Sequence, residues 1–469
     1  MAKIKRKHLT RIGYSNKEAI TLALLAFQHP TLSRQARNPL LDLAANVLHT
    51  PEKYLEHQVL GELAKQLQGA EEDKGFGIIR PSLRERPLTY PVFGEDGIEP
   101  GTLKQMNVAA RLPVVRGGAL MPDAHQGYGL PIGGVLATEN AIIPYAVGVD
   151  IGCRMCLSVF GLKGDFLNRN HRRLKQALLD HTAFGQNSAV SNPYEDELLE
   201  RSIFQEIPLV KSLHRKAARQ IGSSGGGNHF VEFGLLQLSD SENEWGLPVG
   251  TYTALLSHSG SRGLGASIAQ HYTRLAMELT QLPREAKHLA WLNMDREEGQ
   301  EYWRAMNMAG DYASACHHHI HRRIARSLGE KPLFMVENHH NFAWKEQLAD
   351  GQEVFVHRKG ATPAKKGELG IIPGSMTAPG FLVRGKGNEA SFNSASHGAG
   401  RKMSRSKAKV NTTRSALNKH LREKGVTLIG GGLDESPIAY KDIHKVMARQ
   451  KSLVEVVGMF EPKIVRMAD

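Results

Sequence analysis

The spacing of apolar residues divides the chain into a short helical part and a longer mixed part. Near the start, apolar residues recur at helical spacing in two groups: Ala19, Leu22 and Leu25, then Leu40, Leu43 and Val47. Later, the strings LPIGGVLAT, VGVDIGCRM, TYTALLSHSG and LFMVENHHNF predict strands bounded by turns, and helical periodicity returns at 168–179, 271–279 and 297–327. Since strands and helices do not alternate regularly, we predict an α+β fold, with one large domain at 76–469 after a small helical extension at 1–75.

Charge and cysteine content narrow the class of protein. Lysine and arginine exceed aspartate and glutamate by 60 to 47, which gives a net charge of +13 and favours a polyanionic partner such as nucleic acid. The basic segment 401–409 is a candidate RNA-backbone contact, and a solvent-exposed charge run is the alternative. Three cysteines are too few for a disulfide framework, and 19–27 is too short for a membrane span. We therefore expect a cytoplasmic protein without a membrane segment.

Several of the 22 histidines lie in turn-rich strings, where packing explains a histidine poorly. The strings are PDAHQGYG, GGGNHFVEF, LSHSGSRG, ENHHNF and ASHGAGR. With the turn VDIGC they indicate a metal site of imidazoles, a carboxylate and a thiolate. Asp150 and Cys153 are three residues apart around a glycine, so both could converge on one ion, and a thiolate can bridge two. This ligand set suits zinc, manganese or iron.

Two further patterns have competing interpretations. Cys153 and Cys156 have CxxC spacing, which allows a redox pair, although no second CxxC is present to complete a four-cysteine zinc site. The run HHHIH at 317–321 lies in a predicted helix with His317 and His321 on one face. We interpret it as a solvated or RNA-facing helix, with a metal role as the alternative.

Glycine-rich strings indicate where a phosphate would bind. In SSGGGNH and IPGSM, glycines let backbone N–H groups approach an anion. The chain has no GxxxxGKS string and no dinucleotide fingerprint, so activation of a nucleotide would use a covalent nucleophile. His397 in SHGAGR is the candidate, because an exposed imidazole can form a phosphoramidate. Residue types and spacing thus indicate a metal-dependent phosphoryl-transfer enzyme acting on nucleic acid.

Seven strings, in this order along the chain, resemble the signature segments of the RtcB family of RNA ligases. They are QMNVAARLPVVRGGALMPDAHQGYGLPIGGV, VGVDIGCRM, GGGNHFVEF, HSGSRGLG, HHNF, VHRKGATPAKKGELGIIPGSM and NSASHGAGRKMSRSKAK. They span roughly residues 100–410, and their joint occurrence is far more specific than a single histidine motif. The resemblance implies that 76–469 is a single large catalytic domain.

The resemblance also implies the site residues. Two manganese ions would share Cys153, the first held also by Asp150 and His229 and the second by His258 and His340. His397 would be the residue guanylylated by GTP. The nucleotide site would comprise Asn228, His229, Phe230, Val231, Glu232, His340, Asn341, Pro373, Gly374, Ser375, Met376, His397, Gly398, Ala399 and Gly400.

The implied activity is GTP- and Mn²⁺-dependent joining of RNA 3′-phosphate or 2′,3′-cyclic phosphate ends to 5′-hydroxyl ends, in RNA repair or tRNA splicing. Arg401, Lys402 and Arg405 would grip the RNA, and an archease-like activator is a further implied partner. Relatives commonly have a serine four residues after the PGSM methionine and a lysine at the C-terminus, both touching guanine. Here the first position is Gly380, and Arg466 or Lys463 could replace the lysine.

Two other functions compete with the ligase. A metal-dependent phosphodiesterase or phosphatase, suggested by the altered guanine contacts, would process RNA ends without GTP. A nucleic-acid-binding protein with a structural metal, suggested by the basic charge, would tolerate replacement of His397. A closed structural metal site has no need of an additional exposed histidine, which argues against the binding protein.

Overall fold

The computed structural model describes residues 4–14, 17–33, 36–72, 77–185, 188 and 195–468. The chain divides into two compact units, Met1–Ile78 and Ile79–Asp469. The predicted boundary between residues 75 and 76 lies outside the described residues. Within the described ranges, no helix has both the length and the apolar character that a bilayer crossing requires.

The first unit is helical and has its own apolar core. Its helices are α1 (Arg6–Ile12), α2 (Lys17–Ala26), α3 (Arg37–His49) and α4 (Gly61–Glu72). Leu9, Ala23, Leu40 and Val47 are among its fully buried residues. The predicted face of α2 is displaced: Leu25 is 62% exposed, because the buried residues of this helix are Ala19, Ile20, Ala23 and Ala26, which lie on the other side.

Most helices of the second unit lie between residues 100 and 328 of the sequence. The helices are α5 (Pro100–Ala109), α6 (Pro144–Val147), α7 (Gly164–Arg169), α8 (His171–His181), α9 (Ile203–Glu206), α10 (Pro208–Gln220), α11 (Arg262–Leu279), α12 (Glu297–Leu328), α13 (Arg405–Asn411), α14 (Arg414–Glu423) and α15 (Ile443–Ala448). The predicted helix 297–327 matches α12 to within a residue. α12 ends at Gly329, whose φ of 68° suits a residue without a side chain.

Most candidate site residues lie in strands of the second unit or in the turns next to them. The strands are β1 (Val115–His125), β2 (Ile132–Thr138), β3 (Ala141–Ile142), β4 (Arg154–Lys163), β5 (Phe230–Leu238), β6 (Gly250–Ser259), β7 (Leu292–Asn293), β8 (Pro332–His339), β9 (Asn341–Gln347), β10 (Glu353–Lys359), β11 (Ala361–Pro363), β12 (Leu369–Ile372), β13 (Gly380–Gly385), β14 (Ser394–Ser396), β15 (Thr427–Ile429) and β16 (Val454–Met467). With these helices and strands, the predicted α+β class is confirmed.

An eight-stranded sheet forms the centre of the second unit. Seven strands follow the order β12-β13-β16-β5-β6-β4-β8, and β15 pairs with β16. Its pairings are antiparallel except for β15 with β16. A second sheet has the order β1-β2-β10-β9, and two-stranded sheets join β11 to β14 and β3 to β7. Mostly antiparallel pairing explains why strands and helices do not alternate along the chain.

Both faces of the eight-stranded sheet are covered by side chains. On one face, Phe160, Leu255 and Val231 pack with Ile320 and Ile324 of α12. The opposite face has a separate apolar cluster: Met155, Leu157, Leu236, Ala254, Leu256, Phe334 and Val336. Because side chains alternate along a strand, neighbouring residues of β4 and β6 project to opposite faces. This alternation decides where each histidine and cysteine of the site lies.

Candidate active site

The turn before β4 presents Asp150 and Cys153. The Cys153 amide donates to the Asp150 carbonyl at 3.2 Å, and the Gly152 amide donates to the Asn341 carbonyl at 2.8 Å. Gly152 has a φ of 68°, and a Cβ on it would lie 2.8 Å from Gly310 Cα in α12. Only glycine allows this approach, so the turn is fixed against α12 with its carboxylate and thiol on one side.

Five residues converge beyond this turn, and we call them the front cluster. Cys153 Sγ lies 3.4 Å from His229 Nε2 and 3.2 Å from His258 Nε2. His258 Nε2 lies 3.2 Å from His340 Nε2, and His229 Nε2 lies 2.9 Å from Asp150 Oδ2. His229 immediately precedes β5, His258 is in β6, and His340 joins β8 to β9. Three sheet strands and one turn thus bring sequence-distant residues to one point.

The ring nitrogens of the front cluster face one another and the sulfur atom of Cys153. The His258 Nδ1–H donates to the Asn228 carbonyl at 3.1 Å, so Nε2 carries the lone pair. Burial lowers the pKa of His258 to about 3 and the pKa of His340 well below its ordinary value, which keeps both rings neutral. A cation bound between them would satisfy nitrogen and sulfur donors together. This donor set fits a transition-metal ion.

The two acidic groups of the front cluster differ in protonation. Burial, followed by the charge of Asp150, raises the pKa of the Cys153 thiol well above its ordinary value. Burial also pushes the pKa of Asp150 upward, but interactions with His229 and Cys153 outweigh it and leave a net lowering. The carboxylate is therefore ionised and the thiol is protonated, so that binding of a metal ion through the thiolate would release a proton.

Two glycines make room for side chains of the front cluster. A Cβ at Gly225 would lie 2.1 Å from His229 Nδ1, and a Cβ at Gly260 would lie 2.0 Å from Asp150 Oδ1. Neither contact is compatible with a side chain, because the groups it would meet are fixed in the cluster. The glycine-rich strings around His229 and His258 therefore make room for the side chains of the front cluster.

His397, at the end of β14, lies beside the front cluster and is held by Asp123. Its ring centroid is 5.0 Å from that of His340. Asp123 Oδ2 lies 2.6 Å from His397 Nδ1, and the Asp123 side chain is fully buried. Burial pushes the pKa of Asp123 upward, but His397 outweighs it and lowers the pKa. Asp123 lies in the predicted string PDAHQGYG but was not predicted as a site residue; its signal is an acid that follows the apolar and small residues Gly117–Pro122 of β1.

A cavity of about 300 Å³ opens beside His397. This volume is at the lower end of the range for small-molecule sites. Predicted site residues in its lining are Asn228, Phe230, Glu232, His258, Pro373, Gly374, Ser375, Met376, His397, Gly398, Ala399 and Gly400. The lining does not include His229, Val231, His340 or Asn341. Val231 faces the opposite side of the sheet, where it packs in the apolar core, because it alternates with Phe230 and Glu232.

The cavity lining does not contain the cationic side chain, Arg466 or Lys463, that was expected to contact guanine. Val465 and Met467 line the cavity, so Arg466 between them faces away and donates to the Leu179 carbonyl at 2.6 Å. Lys463 pairs with Glu461. Neither Arg466 nor Lys463 lines the cavity, so its lining does not support either residue as the replacement for a guanine-contacting lysine.

Two cavity residues, Glu232 and Gly380, bear on what this cavity can bind. Burial raises the pKa of Glu232 well above its ordinary value. A Cβ at Gly380 would lie 3.4 Å from Pro373 Cα, an ordinary contact, so the cavity has room for a small side chain there.

The arginines at the cavity edge are paired with acids. Arg401 Nη1 lies 3.2 Å from Glu435 Oε2, and Arg405 Nη1 lies 2.9 Å from Asp434 Oδ2 and also contacts Glu435. Lys402 is exposed. In the basic segment 401–409, the charge available to a polyanion is thus smaller than the sequence count indicates.

The interpretation of the HHHIH run as a solvated helix is wrong. His317, His319 and His321 are buried in the described structure, and His319 pairs with Asp196 at 2.7 Å. The error arises because α12 lies against β4 and β6, so that its sheet-facing positions are interior. His317 and His321 lie with Cys156 in a second group, which we call the back cluster. Cys153 and Cys156 are free thiols in separate clusters.

The fold and the site together define a class: an α+β protein with buried cysteine and histidine groups that could hold metal ions, beside a ligand-sized cavity. The chain belongs to the RtcB family, since the family model described as tRNA-splicing ligase RtcB matches residues 105–468. The family predicted from the seven strings is confirmed, and so is its enzyme class, a ligase. The unit Met1–Ile78 lies before the matched residues.

Named relatives agree with this assignment. The chain is 35% identical to the RNA-splicing ligase RtcB of Escherichia coli (strain K12) over 396 residues, which cover 77% of this chain and 92% of the relative. It is 32% identical to the tRNA-splicing ligase RtcB of Nanoarchaeum equitans over 435 residues, with 78% and 91% covered. The RNA-splicing ligase RtcB of Mycobacterium tuberculosis is 30% identical over 434 residues, with 77% and 99% covered.

Proposed function

We propose that this protein is a GTP- and Mn²⁺-dependent RNA ligase that joins 3′-phosphate or 2′,3′-cyclic phosphate ends to 5′-hydroxyl ends through a guanylylated His397. The observation that carries the proposal is the pairing of His397 Nδ1 with buried Asp123 at 2.6 Å, beside both the front cluster and the cavity. This pairing fixes the imidazole so that its other nitrogen is the free one. A nucleophile, its orienting acid and a ligand-sized cavity are thus adjacent.

The front cluster would hold two manganese ions that share the Cys153 thiolate, one with Asp150 and His229 and the other with His258 and His340. The convergence of ring nitrogens beside the Cys153 sulfur and the neutral rings of His258 and His340 support this assignment. Bound manganese would neutralise phosphate charge and act as a Lewis acid. The buried thiol gives up its proton on metal binding.

His397 would act through its Nε2 atom. The Asp123 carboxylate accepts the Nδ1–H, so the Nε2 lone pair is available to attack the α-phosphorus of GTP. A P–N bond forms, the α–β P–O bond breaks, and pyrophosphate leaves. Asp123 then stabilises the charge that develops on the ring, the role of the acid in a histidine–acid pair.

Two further displacements would complete sealing. An oxygen of the RNA 3′-phosphate attacks the guanylate phosphorus, breaks the P–N bond and regenerates His397. The 5′-hydroxyl oxygen of the second strand then attacks the phosphorus of the activated 3′-phosphate, loses its proton, and GMP leaves. A 2′,3′-cyclic end would first be opened by water to the 3′-phosphate.

The cavity beside His397 would receive the guanosine. The turn Pro373–Met376 and the residues Gly398–Gly400 border it, with Phe230 and Met467 as apolar walls and Glu232 at depth. The buried Glu232 carboxyl is the polar group suited to an exocyclic amine and ring N–H. Asn341 and Val231 would act indirectly, through the turn at Gly152 and the sheet core respectively.

The proposed partner is RNA with broken ends, and RNA repair or tRNA splicing is the proposed process. The net charge of +13 supports a polyanionic substrate. We further propose that 1–75 is a helical extension outside the ligase domain and that the enzyme acts in the cytoplasm. An archease-like activator remains a prediction from the family resemblance.

The test is covalent labelling of the native chain. The protein is incubated with Mn²⁺ and α-³²P-GTP, denatured, and examined for retained label, with His397→Ala as the test variant and the exposed His444→Ala as the matched control. We expect label in the native chain and in His444→Ala, and none in His397→Ala.

Two outcomes would replace the proposal. RNA end processing without label or GTP would favour a phosphodiesterase. RNA binding without any processing, unaffected in His397→Ala, would favour a binding protein.

A further inference from the structure

The face of the sheet that meets α12 contains polar residues in an otherwise apolar core. Ser158 of β4 and Ser257 and Ser259 of β6 are fully buried there, opposite His317 and His321 of α12. Buried polar groups are costly unless each has a partner. Their retention therefore requires a physical explanation.

These residues form one continuous chain of hydrogen bonds. Ser158 Oγ lies 2.7 Å from His321 Nδ1, and His321 Nε2 lies 2.7 Å from Ser257 Oγ. Ser257 Oγ lies 2.6 Å from His317 Nδ1, and His317 Nε2 lies 3.2 Å from the Ser259 carbonyl oxygen. All four imidazole nitrogens are thus within hydrogen-bond distance of a partner.

Donors and acceptors along this series of hydrogen bonds can be assigned in only one consistent direction. The Ser259 carbonyl can only accept, so His317 Nε2 carries the proton and, in a neutral ring, Nδ1 accepts from the Ser257 hydroxyl. Ser257 then accepts from His321 Nε2–H, and His321 Nδ1 accepts from the Ser158 hydroxyl. Burial lowers the pKa of His321 to about 3 and that of His317 well below its ordinary value, in agreement with neutral rings.

This arrangement argues against a metal in the back cluster. Its potential ligand atoms lie within 4.8 Å of one another, as in the front cluster. However, Ser257 Oγ already occupies the point on which the two imidazole nitrogens converge. Burial raises the pKa of the Cys156 thiol well above its ordinary value, which favours a neutral side chain.

This series of hydrogen bonds ends beside His258, a residue of the front cluster. Ser257 and Ser259 flank His258, whose side chain projects to the opposite face of β6. Gly260, which admits the Asp150 carboxylate, follows Ser259. We propose that His317 and His321 are positioning residues that fix the 257–260 backbone and thereby the metal ligand His258.

This inference rests on the metal centre proposed above, and its test has two independent measurements. Amide hydrogen exchange of the segment 254–262 reports on the backbone in the metal-free protein. Titration calorimetry reports the Mn²⁺ dissociation constant. The variants are His317→Leu, which breaks the series of hydrogen bonds at its last side chain, and Ser257→Ala, which breaks it in the middle.

We expect both variants to exchange faster in 254–262 and to bind Mn²⁺ about 10-fold more weakly. This is the lower end of the effect of losing a direct partner of a metal ligand, because the hydrogen bonds act on His258 only through the backbone of its neighbours. His317→Gln retains a donor for the Ser259 carbonyl and should restore most of the affinity. Ile324→Ala is the control: it creates a cavity in the apolar core beside the same helix. It should lower the melting temperature and leave Mn²⁺ affinity unchanged.

Several results would overturn the proposal. Unchanged exchange in folded His317→Leu and Ser257→Ala would show that the chain does not fix this backbone; if His317→Leu does not fold, Ser257→Ala alone decides. An additional metal ion, measured in the native protein and lost in Cys156→Ser, would make the back cluster a metal site. Absence of Mn²⁺ binding by the native protein would instead overturn the metal centre, while the exchange measurement would still decide the role of the chain.

Discussion

The front and back clusters contain the same kinds of residue but differ in how their nitrogen atoms are satisfied. Each brings one cysteine and two histidines within 4.8 Å. In the front cluster, His258 Nε2 faces another imidazole nitrogen and a sulfur atom. In the back cluster, the ring nitrogens face hydroxyl groups and a carbonyl. Proximity of metal-binding residue types is therefore insufficient evidence for a metal site, whereas ring nitrogens that face one another and a sulfur atom, rather than hydroxyl groups and a carbonyl, favour one.

The largest expected contrast is between Cys153→Ala and Cys156→Ala. Cys153→Ala should reduce GTP-dependent labelling by about 10⁴-fold, since each of the two proposed ions would lose a ligand and loss of an outer partner alone costs about 100-fold. Cys156→Ala should retain labelling and lose about 1 kcal/mol of stability, an average cost for a point mutation. Labelling assays and chemical denaturation measure the two effects, and equal loss of labelling in both variants would contradict the distinction.

Replacement of Asp123 tests the proposed role of His397, which lies beside the front cluster. Asp123→Asn keeps the volume but removes the negative charge, and its amide NH₂ can donate to Nδ1 and so move the ring proton of His397 to Nε2. We therefore expect labelling to fall about a thousandfold. The rate of label incorporation at saturating GTP measures this loss. Mn²⁺ affinity should be unchanged, because Asp123 contacts His397 rather than the metal ligands. A large loss of Mn²⁺ affinity with normal labelling would reverse this assignment.

Adjacent glycines give a smaller effect with an internal control. A Cβ at Gly225 would meet His229 Nδ1 at 2.1 Å, whereas a Cβ at Gly226 meets no atom within 4 Å. Gly225→Ala should therefore weaken Mn²⁺ binding about 10- to 100-fold. Gly226→Ala should bind normally. Calorimetry on both variants checks the prediction, and it fails if the two behave alike.

The smallest effect is the pH dependence of metal binding. Because burial raises the pKa of Cys153, the thiol is protonated at neutral pH and loses its proton when metal binds. Mn²⁺ affinity should therefore rise about tenfold per pH unit below that pKa, since one proton is released. Calorimetry in buffers of different ionisation enthalpy counts the protons. The Cys153→Ala variant should release one fewer.

Local patterns predicted the elements better than they predicted burial. The periodicity at 297–327 located α12 because a long amphipathic helix repeats its signal many times. It did not reveal that β4 and β6 cover the histidine face, since that depends on residues more than 50 positions away. For the same reason Leu25 was placed on the wrong face of α2: apolar spacing cannot tell a buried stripe from exposed leucine.

The candidate site was predictable where a motif carries its own chemistry. Asp150 and Cys153 were identified from a turn, and the structure brings them together with three histidines. Asp123 was missed because its partner lies 274 residues away. The orientation of Arg466 depends on alternation within β16, which an unaligned C-terminal sequence did not reveal.

The central position of β16 has a consequence for synthesis on the ribosome. Phe230 of β5 pairs with Met467, and Gly385 of β13 pairs with Val454. Until β16 emerges, a nascent chain has completed β5 and β13 without the strand that joins them. Both strand edges stay open, and such edges invite pairing with other chains. Premature termination before residue 454 would therefore leave a translation product prone to aggregation, without the wall of the cavity formed by Val465 and Met467.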